Sequence, residues 1–173
     1  MIQQENNIEL RPFQEHDIPL LVQEFARHNW HKPQTTFDLY YQEQNQEERQ
    51  VWLAFYQKKL AGYITLKWNS YYQPFHDARI PEIMDLNVLP PYRNKGIATQ
   101  LLDTAEALAK TRSQIIGIGV GLYPDYGQAQ QLYVKRGYIP DGKGLTYTYQ
   151  SVLPGASVLL DDDLVLWFTK IME

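Results

Sequence analysis

The residues best suited to chemistry lie between Asp85 and Thr99. An apolar strand through Asp85, Leu86, Asn87 and Val88 runs into Pro90-Pro91-Tyr92. A basic loop, Arg93-Asn94-Lys95-Gly96, then opens onto a helix at Ile97-Ala98-Thr99. Strand, loop with unpaired N–H groups and helix N-terminus is a succession that holds a pyrophosphate, because the first N–H groups of a helix lack partners and its dipole favours an anion. Arg93 and Lys95 add positive charge for one small anion. The chain has no cysteine, which excludes disulfides, thiolate metal sites and a covalent cysteine intermediate. Its four histidines, at 16, 28, 31 and 76, show no ligand spacing, so no metal site is expected. In Ile115–Leu122 β-branched residues alternate with Gly117, Gly119 and Gly121, but position 122 is Leu and the glycines lie inside a strand, so this is no dinucleotide fingerprint. One face of that strand is bare, which suits close approach of a backbone or ligand.

Around this stretch the pattern alternates. Ile8 to Arg11 reads as a first strand. Asp17 can N-cap a helix that has Pro19 in its first turn and ends around Asn29–Pro33. A second helix is expected from Thr36 to Gln50, with Glu43, Glu47 and Glu48 on a solvated face. Val51–Tyr56 and Leu60–Trp68 read as a hairpin about a Gln-Lys-Lys turn. Asn69 to Arg79 is a loop rich in rings, Ile80 to Val88 a third strand of this set, and the motif helix runs to about Arg112. Asp125–Lys135 is a helix closed by Gly137, Asp141–Gly144 a turn, Thr146–Tyr149 a strand and Leu164–Ile171 the last strand. The expectation is a single mixed α/β domain over residues 1–173.

Bulk properties narrow the class. At 173 residues, 44% apolar and 21% charged, the chain can bury a core of ordinary globular type. A net charge of -4 gives no footprint for nucleic acid or an anionic membrane. Met1–Asn7 is polar, unlike a signal peptide, and no apolar run approaches the roughly 20 residues of a membrane helix. A cytoplasmic protein with no nucleic-acid or membrane partner is expected.

Arg93-Asn94-Lys95-Gly96-Ile97-Ala98 resembles the Arg/Gln-x-x-Gly-x-Gly/Ala signature of the GNAT superfamily of N-acetyltransferases. The Asn87–Tyr92 lead-in and Leu101-Leu102-Asp103 after it fit the same pattern. Ala129-Gln130-Gln131-Leu132-Tyr133-Val134-Lys135-Arg136-Gly137-Tyr138 is similar to the family's second signature, Ala-x-x-Leu-Tyr-x-x-x-Gly-Phe, with Tyr138 for Phe. The order of elements fits across nearly the whole chain. The resemblance implies a mixed sheet of about seven strands in which Ile83–Val88 and Ile115–Leu122 part for the pantetheine arm of acetyl-CoA. Leu86, Asn87, Val88 and the run Arg93, Asn94, Lys95, Gly96, Ile97, Ala98 and Thr99 would hold the cofactor, with Tyr133 and Tyr126. Tyr126 or Gly127 stands where the family often has Asn.

The roles implied are those of direct acetyl transfer to an amine. Glu82, six residues before Val88, matches the catalytic glutamate of histone-acetylating members, and Asp85 is the rival base. On a regular strand the two face opposite sides, so at most one enters the cleft unless a bulge intervenes. The Val88 N–H would stabilise the oxyanion, and Tyr133 would protonate the leaving thiolate. The acceptor is a small-molecule or peptide amine. Its site by analogy involves Trp30, His31, Tyr71, Tyr72, Phe75 and His76, with Asp77 or Asp161–Asp163 to attract a cation, or else these rings and acids are packing and a solvated turn. A homodimer stays open. The alternatives are a non-catalytic acyl-CoA-binding domain and a tRNA-acetylating toxin, and the net charge gives the toxin little support.

Overall fold

Strand and helix periods partition the chain as the residues dictate, and the computed structural model describes residues 7–173. The polar segment 1–6, read above as unlike a signal peptide, lies outside the described residues. Two compact units emerge, one from the residues up to Lys67 with Asp85–Ala107, the other from Trp68–Met84 with Leu108–Glu173.

In the first unit, β1 (Ile8–Pro12), β2 (Arg49–Tyr56) and β3 (Lys59–Lys67) pair antiparallel in sequence order, with β4 (Glu82–Val88) next to β3. The β2–β3 turn is tight because Gln57 and Lys58 both take positive φ, 48° and 66°, the geometry that matches strand twist. From Leu60 onward every residue of β3 is buried, as its near-continuous apolar run requires. Gly62 is obligatory there, since a Cβ would overlap the Asn87 carbonyl oxygen. Helices α1 (Ile18–Arg27) and α2 (Gln34–Asn45) bury Leu21, Phe25, Phe37 and Tyr40 against Leu53 and Tyr63.

Three expectations need correction in this unit. Asp17 stands at the N-cap of α1, but its side chain accepts Arg11 at 2.6 and 2.8 Å and the Gln14 N–H at 2.9 Å in place of capping the helix. Helix α2 ends at Asn45 and not near Gln50, because Glu47 turns the chain at φ 60° into β2. Glu43 is not on a solvated face. It is 5% exposed and accepts Arg49 at 2.5 Å and Lys67 at 2.9 Å, while Arg49 also donates to Thr65 at 2.6 Å.

In the second unit, the first residues of β4 pair in parallel with β5 (Ile115–Gly121) at Glu82↔Gly117 and Ile83↔Ile118. β5 pairs antiparallel with β8 (Leu164–Ile171), which pairs with β6 (Ile139–Tyr147), and β6 with the two-residue β7 (Gln150–Ser151). The architecture is therefore mixed α/β, with eight strands among the described residues where about seven were expected; β7 is short enough to account for the difference. β6 starts earlier than expected and absorbs the Asp141–Gly144 turn as a register shift between Pro140 and Leu145, where Gly142 and Gly144 have φ of 82° and 75°. The ring-rich loop contains a short helix, α3 (Gln73–Ala78). Helix α4 (Ile97–Ala109) follows the basic loop, and α5 (Gly127–Lys135) carries the second signature. No described helix is long and apolar enough to cross a membrane.

Candidate active site

The basic loop is shaped by bonds and backbone angles at either end. The Leu89 N–H donates to Ala61 O at 2.8 Å, which pins the end of the β4 segment to β3. Pro90–Tyr92 make a single 3-10 turn, and the Arg93 Nε returns to Val88 O at 3.2 Å. Asn94 and Gly96 then take positive φ, 59° and 82°. Alternation of left-handed with ordinary residues turns successive N–H groups toward one side. Ile97 is buried and seats the helix, whose first closing bond is Gln100 N–H to Gly96 O at 3.1 Å. The N–H groups of Ile97, Ala98 and Thr99 thus belong to the first helical turn, which has no acceptor of its own. Arg93, Asn94, Lys95 and Gly96 are exposed. The Lys95 ammonium rests 5.2 Å above the Tyr56 ring.

Asp85 is the centre of a polar cluster in the same unit. Its Oδ2 accepts the Tyr63 hydroxyl at 2.5 Å, the Tyr40 hydroxyl at 3.0 Å and the Lys32 ammonium at 3.4 Å, and its Oδ1 accepts the Asn87 side-chain amide. Burial first, then the charge of Asp85, pushes both phenols far above their ordinary range, so they remain donors. The Lys32 ammonium also lies 5.3 Å from the Trp30 ring centroid, 5.4 Å from Tyr63 and 5.9 Å from Phe25. Asn87 spends its amide on Asp85, so its side chain turns into this cluster.

Glu82 belongs to the second unit and is 3% exposed. Its Oε2 accepts the Ser70 hydroxyl at 2.5 Å, and the Ser70 Oγ accepts the Tyr72 N–H at 3.0 Å. Tyr72 stacks on Trp167 with centroids 4.2 Å apart and planes within 2°, and Phe75 meets both rings edge-on. These rings correct the reading of the glycine strand. Its bare face is filled by side chains, with Phe75 over Gly117, Val165 and Trp167 over Gly119 and Tyr126 over Gly121, where any Cβ would collide. The reason is topological: α3 delivers Phe75, and the β5–β8 register sets Trp167 opposite Gly119.

The remaining residues fall in the second unit too. Tyr133 is 5% exposed on α5, its ring 6.0 Å from that of Tyr138, and Gly137 ends the helix at φ 90°. Tyr126 donates to Asp162 at 2.8 Å, Tyr123 donates to the same carboxylate, and Tyr147 donates to Asp161 at 2.9 Å. Burial, then Asp162, pushes the Tyr126 phenol well up. Of the rings considered for an acceptor, Tyr72 and Phe75 are core, while Tyr71 is 53% exposed. Sequence reasoning missed Lys32, Tyr40, Tyr63 and Ser70. Tyr40 and Tyr63 were readable as buried positions on an apolar helix face and a central strand. Ser70 carries no local signal, because its role depends on a fold-back from the β3–β4 connection to Glu82.

A mixed sheet with a basic loop opening onto a helix, followed by a Tyr-bearing helix closed by glycine, is the arrangement that the resemblance to acetyltransferases implied. The chain belongs to the acetyltransferase (GNAT) family, whose model matches residues 16–138. Solved structures of similar fold include Ard1 from Thermoplasma volcanium (16% identity, 96% of this chain and 99% of that one, TM-score 0.69). PaiA N-acetyltransferase from Thermoplasma acidophilum, in complex with coenzyme A, is 16% identical over 95% and 98% of the two chains, with a TM-score of 0.64. Arabidopsis thaliana Naa50, in complex with the bisubstrate analogue CoA-Ac-MVNAL, is 18% identical over 95% and 98%, also with a TM-score of 0.64. Comparison with curated protein sequences finds no match.

Proposed function

We propose that this chain is an acetyl-CoA-dependent N-acetyltransferase that moves the acetyl group directly from the thioester to a primary amine of a small molecule or peptide. The observation that carries the reading is the Arg93–Thr99 loop, with positive φ at Asn94 and Gly96 at the mouth of α4. It supports binding of the CoA pyrophosphate by backbone N–H groups, with Arg93 and Lys95 adding positive charge to the loop.

In this reading an ammonium proton passes to Glu82, directly or through water, and frees the nitrogen lone pair. The nitrogen attacks the thioester carbonyl, and the Val88 N–H stabilises the oxyanion that forms. The C–S bond then breaks, Tyr133 gives its proton to the thiolate, and the second proton of the attacking nitrogen is released as the amide forms and restores the Tyr133 phenol. Glu82 is favoured over Asp85 because both oxygens of Asp85 are already engaged by donors from four residues.

A panel of primary amines against acetyl-CoA, read by thiol release, tests the activity. Glu82→Gln and Tyr133→Phe should each cut the rate, and full activity in both across pH 6 to 9 would overturn the roles given. Gly96→Glu should abolish CoA binding by calorimetry, and unaltered affinity would remove the loop from the cofactor site. Tight CoA binding with no acetyl consumed across the panel would favour a non-catalytic acyl-CoA-binding domain.

A further inference from the structure

We propose that Ser70 is a positioning residue for the Glu82 carboxylate, held in place by the ring stack that fills the glycine face of β5. The inference rests on Glu82 being the base. Ser70 and Glu82 are 2% and 3% exposed, so neither finds its hydrogen-bond partners in bulk water. A serine hydroxyl has one proton to give. With the Tyr72 N–H donating to Ser70 Oγ at 3.0 Å, that proton is directed to Glu82 Oε2 at 2.5 Å. The carboxylate therefore receives a donor whose own orientation is fixed by backbone.

The backbone of Tyr72 is in turn fixed by its side chain. Its ring lies flat on Trp167, Phe75 closes on both edge-on, and its hydroxyl donates to Asp141 at 2.8 Å. Phe75 and Trp167 sit over Gly117 and Gly119, and Gly117 is the parallel partner of Glu82 itself. The alternating glycines thus gain a purpose that neither a nucleotide fingerprint nor a ligand cleft supplied. They admit the rings that carry Tyr72, and Tyr72 carries Ser70. A site side chain locked by supporting contacts keeps its geometry through turnover.

The β3–β4 connection brings the Ser70 hydroxyl to Glu82, while the Tyr72 phenol is turned to Asp141. From β5, the paired residues Gly117 and Ile118 bring no charge. On β4 itself, Asp85 is occupied by Tyr40, Tyr63, Asn87 and Lys32. A hydroxyl donated to a buried carboxylate favours its charged form, so its removal raises the pKa.

The test needs no knowledge of the acceptor. Full-length protein carrying ¹³C at glutamate carboxyls is titrated by NMR, the Glu82 resonance being assigned by its loss in Glu82→Gln. Ser70→Ala should raise the Glu82 midpoint by about one to two pH units, the range expected for one hydrogen bond to a charged group. Ser70→Thr, which keeps the hydroxyl, should leave it near wild type. Should Ser70→Ala fail to fold, Ser70→Cys, a weaker donor of similar shape, should give an intermediate rise. A midpoint unmoved in Ser70→Ala, or in Ser70→Cys if that variant is used, overturns the positioning role. In the amine panel, Ser70→Ala should lower kcat with little change in KM for acetyl-CoA. Full activity of Glu82→Gln there would overturn the base assignment, a result separable from the titration.

Discussion

Glu82 and Asp85 are carboxylates three residues apart on β4, and their surroundings differ in kind. Asp85 collects donors from the α1–α2 connection (Lys32), α2 (Tyr40), β3 (Tyr63) and its own strand (Asn87). Glu82 is buried beside a serine, in a unit whose nearby packing is a stack of aromatic rings. Position in sequence made them rivals for one role. Their contacts separate them: Asp85 joins four pieces of its unit, whereas Glu82 accepts the hydroxyl of Ser70 from the β3–β4 connection.

That contrast predicts opposite phenotypes. Glu82→Gln should lower kcat by about 10²- to 10⁴-fold, the usual worth of a general base, with little change in Tm. Asp85→Asn replaces an acceptor oxygen with a donor among phenols and an ammonium. It should cost about 3 kcal/mol, the lower range for breaking a buried charge pair, or roughly 10 °C of Tm at this chain length. Its folded fraction should keep most of its kcat. Thermal unfolding and thiol release on both variants decide the matter, and exchanged phenotypes would exchange the assignments.

The next effect lies beside the Asp85 cluster. The Arg49 guanidinium sits 4.3 Å above the Tyr40 ring and pairs with Glu43, which also holds Lys67. Burial pushes the Glu43 carboxyl up, but the bonds from Lys67 and Arg49 outweigh it and hold it below its ordinary value. A carboxyl depressed on folding stabilises fully above its unfolded pKa, and the contribution is lost as pH falls through the folded value. Glu43→Gln should therefore cost about 3 kcal/mol at pH 7. The gap in Tm between wild type and variant should narrow as pH is lowered from about 5 to 3, below the ordinary glutamate value of 4.5. A gap constant with pH would mean that Glu43 acts by shape and not by charge.

Much of this is legible in the sequence. The last strand, Leu164–Ile171, was read to the residue, because β-branched and aromatic residues follow an acidic turn. The β2–β3 hairpin and the loop onto α4 were equally local. Glu43 differs from its expected solvated place although the sequence carries a signal: it lies three residues after Tyr40 and six after Phe37, on the stripe that α2 buries. Its cations, Arg49 and Lys67, come from strands, and helical charge counting does not see them. The glycines of β5 were seen as a bare face, but nothing local says that α3 and β8 would cover it with rings.

Gly117→Ala tests that cover. The new Cβ would meet the Phe75 ring, so the stack must shift. Overpacking of this kind costs about 1–3 kcal/mol. If the stack holds Tyr72 and Ser70, kcat should fall further than the loss of folded protein explains, with KM for acetyl-CoA little changed. A loss of stability with kcat intact would confine the glycine face to packing and leave Ser70 without its mount.

The smallest effect is the most discriminating for Asp85. Lys32→Met keeps an unbranched apolar stem among Phe25, Trp30 and Tyr63 but removes the ammonium from the rings and from Asp85. The loss should be about 1 kcal/mol, because the weak cation–π contacts with three rings and one long ion pair disappear while three residues still donate to the carboxylate. Combined with Asp85→Asn, the two losses should sum to more than the double variant shows, since the ammonium has nothing to neutralise once the carboxylate is gone. Strict additivity in this cycle would mean that Lys32 is held by the rings alone. A single loss for Lys32→Met larger than that for Asp85→Asn would make the ammonium, and not the carboxylate, the centre of the cluster.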